Sequence, residues 1–95
     1  MPSMKKFLGD LGMAAIHGDD LKVEIMREAF ERAKRAAGCP TGDPFEMTEE
    51  EMANYHPSSE FVWRAAAELV KERHGGPSER DTRTVEVLSP YLAKN

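Results

Sequence analysis

The chain predicts an all-α fold: one compact domain of four or five short helices, in bundle or orthogonal packing. Three observations point there. Ala, Glu, Lys, Arg, Leu and Met, all good helix formers, fill the stretches between breakers. Those stretches repeat apolar residues three or four positions apart, the period of a helix face. The β-branched residues are few and scattered, whereas a sheet needs alternating runs of Val, Ile and Thr. Glycine and proline divide the chain at Gly18, Gly38 to Pro44, Pro57, Gly75 to Pro77 and Pro90.

The first element, Met4 to His17, has Phe7, Leu8, Leu11, Ala14, Ala15 and Ile16 in an amphipathic pattern. Gly9 and Gly12 each weaken a helix there by nearly 1 kcal/mol relative to alanine, about the full glycine penalty. Residues 1–18 are therefore expected to be an arm or a weak helix, and 19–95 the helical domain. Such an arm docks on the core, orders with a partner, or exchanges between subunits.

The clearest helix runs from Asp20 to Ala37. Asp19 or Asp20 suits the N-cap, accepting from the free N–H groups of the first turn. Lys34 and Arg35 suit the negative end of the dipole, and Gly38 supplies a left-handed stop. Leu21, Val23, Ile25, Met26, Ala29, Phe30, Ala33 and Ala37 form its apolar side. Glu28 with Arg32, Arg27 with Glu31 and Glu31 with Arg35 stand four apart and suggest a wet face of local ion pairs. Thr48 to Tyr55 is a short helix with a capping box at Thr48 and Glu51, showing Met52, Ala53 and Tyr55 to a core. Ser59 to His74 follows, capped by Ser58 or Ser59. Its stripe is Phe61, Val62, Ala65, Ala66, Leu69 and Val70, with Trp63 at the edge. A last helix, Ser78 to Leu88, turns Val85, Leu88 and Leu92 inward before Pro90 interrupts it.

Composition narrows the function. The 95 residues are 40% apolar, too many for a disordered chain, and 32% charged, with a net charge of -4. That negative balance argues against non-specific phosphate binding, so nucleic acid is not the expected partner. No run approaches the roughly 18 apolar residues of a membrane span, and no apolar leader follows the basic start. The one cysteine, Cys39, excludes an internal disulfide framework and fits a reducing, cytoplasmic setting.

No constellation for chemistry stands out, so neither catalysis nor a cofactor is expected. His17, His56 and His74 lie at helix ends without metal-ligand spacing. Cys39 follows a helix C-terminus, whose negative end raises a thiol pKa rather than lowering it. Gly75-Gly76-Pro77-Ser78 reads as a helix connection rather than a phosphate cradle.

The acidity, by contrast, is concentrated. Residues 39–60 hold six acidic groups and no basic one: Asp43, Glu46, Glu49, Glu50, Glu51 and Glu60. Helix dipoles explain three of these as first-turn decoration. Phe45 and Met47, an aromatic and a thioether among carboxylates, look instead like a docking segment. The expected site is therefore Asp43, Phe45, Glu46, Met47, Glu49 and Glu50, and the expected function a small cytoplasmic adaptor, inhibitor or regulator. Its partner is another protein or a second copy. Two alternatives belong to other classes. Thr48–His74 has the length of a helix-turn-helix, although its first helix is acidic and its second offers only Arg64 beside Glu60. Alternatively, an oligomer holds a small anionic ligand, or serves as an enzyme subunit, through Arg64, Lys71, Arg73 and Arg80.

Overall fold

Asp19 starts the longest helix of the molecule, its carboxylate accepting from the Lys22 amide at 3.2 Å. This helix is α2, Asp20–Ala37, in the computed structural model, which describes residues 3–92. It ends where Gly38 takes φ 70°, a left-handed stop that returns the Gly38 and Cys39 N–H groups to the carbonyls of the last turn. The other helices are α1, Met4–Ile16, α3, Glu49–Ala53, α4, Ser59–Arg73, and α5, Glu79–Leu88. Two 3-10 turns, Pro44–Glu46 and Ser89–Tyr91, complete the order, and no strand occurs among the described residues. The all-α fold expected from the sequence is present.

Three helices, α2, α4 and α5, pack mutually, and α1 lies against α2. Ile25, Met26, Ala29 and Ala33 from α2 meet Val62, Ala65, Ala66 and Leu69 from α4 in one core. The alanines keep the two helices close, while Ile25, Met26 and Leu69 fill the volume between them. The hydroxyl of Thr84, the buried polar residue of α5, donates to the Arg80 carbonyl at 2.7 Å and accepts from Arg73 at 3.2 Å, so its burial leaves no bond unmade.

Four expectations meet their outcome here, three of them as corrections. First, Trp63 is central rather than marginal, at 1% exposure. Phe7 meets its ring edge-on at 5.9 Å and Tyr91 stacks on it at 5.7 Å, so residues from both ends of the chain cover the side that α4 alone leaves open. Second, of the three courses open to α1 it takes the first and docks: Phe7 is fully buried, and its ring meets Tyr91 at 5.1 Å. The apolar and aromatic burial of that one side chain offsets the glycine penalties of its helix. Third, α5 buries Thr84, Val87 and Leu88 and only half-buries Val85, because it faces both α2 and α4. Fourth, Met52 and Ala53 of α3 are exposed and Tyr55 is half-buried. A helix of five residues has too few turns to present a core face; its end is tethered instead by Lys34 over the Tyr55 ring at 5.3 Å.

Candidate functional site

Between α2 and α3 the chain is ordered by its own short-range bonds. Asp43 accepts from the Phe45 amide at 2.9 Å, and Pro44 opens the turn with its φ already set. The Glu46 amide then donates to the Asp43 carbonyl at 3.0 Å, and that of Met47 to the Pro44 carbonyl at 3.2 Å. Immediately after, Thr48 accepts from the Glu51 amide at 3.1 Å while Glu51 accepts from the Thr48 amide at 3.2 Å, a complete capping box. Polar bonds thus fix the backbone on either side of an aromatic residue that touches no core.

That residue, Phe45, is 97% exposed. Burying a phenyl ring is worth about 1.5–3 kcal/mol, none of which this protomer collects. Glu46, Glu49 and Glu50 are exposed as well, as is Asp43 beyond its capping bond, whereas Met47 is half-buried. The expected site residues thus run from the 3-10 turn into the first turn of α3, with the Phe45 ring exposed and Met47 half-buried. Glu51 is committed to the cap. Met52, 45% exposed on α3, adds apolar surface that the sequence reading placed in the core.

The four cations of the anion-binding alternative do not gather. Arg73 and Arg80 meet at Glu28: Arg73 forks onto it at 2.6 and 3.0 Å, and Arg80 bonds it at 3.2 Å and Glu24 at 2.9 Å. Arg64 instead pairs with Glu60 one turn back on α4, at 2.6 Å, and Lys71 is exposed. Burial disfavours the charged form of Glu28, but the bonds from Arg73 and Arg80 outweigh it and hold its carboxyl below the ordinary value. Arg32 likewise pairs with Glu72 of α4. Glu28 and Arg32, read as part of the wet face of α2, thus lie in a seam between helices, while Arg27, Glu31 and Arg35 stay exposed. Bidentate pairing between helices, partly out of water, prevails over four-apart pairs worth only about 0.2–0.5 kcal/mol.

A polar concavity of about 460 Å³ opens where α1 meets α5 and the last turn. Most of its charges are paired with one another, Lys22 excepted. The Tyr91 hydroxyl donates to Asp10, which also pairs with Lys6, and Arg83 bonds Asp19 at 2.8 Å. The Tyr91 bond, aided by Lys6, holds Asp10 below the usual carboxylate range; burial, then Asp10, pushes the Tyr91 phenol above its own. Sequence reasoning missed Asp10, Tyr91, Glu28 and Arg83 because their partners lie 45 or more positions away. Periodicity carries no signal at that range.

Among the described residues, no group of three His, Cys, Asp or Glu side chains is placed to hold a metal. Cys39 is half-buried and unpaired in any disulfide. Among the described residues, no helix is long and apolar enough to cross a membrane. No family model, curated protein or solved structure matches this chain.

Proposed function

We propose that this chain is a small, non-enzymatic interaction protein of the cytoplasm, an adaptor or regulator of a larger complex. It docks through Asp43–Glu50 onto a basic protein surface that carries an apolar socket. The carrying observation is the 97% exposure of Phe45 on a turn built by its own hydrogen bonds. Buried aromatic anchors dominate binding energy at interfaces, and a rigid turn loses little freedom on docking. The carboxylates around the ring exclude acidic partners and speed encounter with basic ones.

The DNA-binding alternative has less support. The short acidic α3 packs only weakly on the other helices, and Arg64 at the start of α4 is occupied by Glu60. Arg73 and Arg80 are likewise satisfied within the protomer, which weakens the anionic-ligand alternative.

A photo-crosslinking residue at position 45, expressed in the native host, tests the reading. One dominant protein adduct with a basic surface is expected, its yield falling as salt rises. An unbound ring at all salt concentrations, or crosslinks to nucleic acid, would overturn it.

A further inference from the structure

The concavity between α1, α5 and the last turn has about 460 Å³, within the roughly 300–1,000 Å³ of small-molecule sites. Its base is set before any ligand arrives. Val87 and Tyr91 are buried in the core, and the Tyr91 hydroxyl is fixed on Asp10. Asp19 caps α2 and accepts from Arg83 at 2.8 Å. These bonds hold both carboxyls below their ordinary values, so both carry charge at neutral pH. Donors are nevertheless left over. Lys22 is half-buried and forms no ion pair among the described residues, although Asp10 and Asp19 both feel its charge. Arg83 gives Nη2 to Asp19 and turns Nε to Glu86 at 3.7 Å, and no hydrogen bond among the described residues uses its Nη1. An acceptor is left over as well: Glu86 lies beyond hydrogen-bond distance of Arg83, with 66% of its side chain exposed.

Three cations, Lys6, Lys22 and Arg83, and three carboxylates, Asp10, Asp19 and Glu86, line this space, so it carries no net charge. A multiply charged anion would set its surplus charge against the carboxylates, and a bare cation would meet Lys22. A molecule with one charge of each sign satisfies both spare groups and keeps the balance. Val87 and Pro90 add an apolar part to the wall. We propose that this concavity binds a small apolar α-amino acid as its zwitterion. The ligand's carboxylate takes the spare donors of Lys22 and Arg83, its ammonium meets Glu86, and its side chain lies against Val87 and Pro90. This site shares no residue with the Phe45 turn and stands independently of it.

Amide NMR on the full chain, titrated with L-leucine, tests the proposal. Saturable shifts at Lys22, Arg83, Glu86 and Val87 are expected, with a dissociation constant of about 1 mM or below. Isocaproate, which lacks the ammonium, and isoamylamine, which lacks the carboxylate, should each bind at least about tenfold more weakly. Lys22→Gln should weaken leucine binding about tenfold and leave the ligand-free thermal midpoint in place, since Lys22 has no ion pair to lose among the described residues. Glu86→Gln should weaken leucine while leaving isocaproate unchanged, a split that a merely structural role would not produce. No saturable shift up to about 10 mM leucine, equal binding of isocaproate, inorganic phosphate moving the same amides as strongly, or unchanged leucine affinity in Lys22→Gln would each overturn it.

Discussion

Phe45 and Trp63 lie in opposite environments, one 97% exposed and the other 1%. Trp63 is enclosed by Phe7 and Tyr91, and Trp63→Ala should lower stability by about 3–5 kcal/mol in denaturant unfolding. Phe45→Ala removes a ring that touches no core, so the thermal midpoint should stay unchanged while partner affinity falls at least tenfold, roughly the 1.4 kcal/mol of a modest anchor. Both roles were only half legible. Phe45 stood out as an aromatic among carboxylates, and its exposure agrees with that contrast. Trp63 sat beside the apolar stripe of its own helix, and only residues 56 positions before it and 28 after it make that edge a centre. Glu28 shows the same limit. Its spacing to Arg32 suggested a local pair, but it bonds Arg73 and Arg80 instead. Glu28→Gln should cost about 1–3 kcal/mol, because it leaves the half-buried Arg73 short of its bidentate partner; a cost near zero in urea unfolding would mean that this seam is merely decorative.

The helices were legible where their ends carry chemistry. Asp19, Thr48 with Glu51, and Gly38 mark boundaries in sequence, and each makes the predicted capping bond or turn. Contacts between helices were not legible, because any arginine on a wet face can reach any of several carboxylates until the crossing is known. α1 was the hardest element to read. Its glycines argued for a weak arm, while its docking rests on Phe7 finding Trp63, Phe30 and Tyr91. Two outcomes follow. Gly9→Ala should raise the thermal midpoint in dilute solution, worth up to about 1 kcal/mol, since the new methyl meets nothing and helix propensity improves. Phe7→Ala should release α1 from the core and quicken amide exchange throughout Met4–Ile16. Unchanged exchange in that variant would show that α1 is held by something other than the aromatic cluster.

The fold joins its two ends through Asp10 and Tyr91, and this pair ties stability to pH on both limbs. Asp10 and Glu28 have carboxyls held below their unfolded values. Their contribution is therefore present above their ordinary values of 3.8 and 4.5 and disappears as pH falls through the folded values. The Tyr91 phenol is shifted the other way. Its contribution is complete below about pH 10 and is lost as the solution becomes more alkaline. Stability should accordingly form a plateau between these limits, and Tyr91→Phe should lessen the alkaline dependence while letting Asp10 titrate closer to its ordinary value. The charge is segregated along the sequence, with six carboxylates and no basic group in residues 39–60, the segment that also carries the exposed Phe45. The most direct test is the dissociation constant of the partner crosslinked at position 45, measured by titration against the native chain and against Phe45→Ala. Binding at least tenfold weaker, with an unchanged thermal midpoint, is the expected result; equal affinity for the two chains would contradict the assignment of this turn as the docking site.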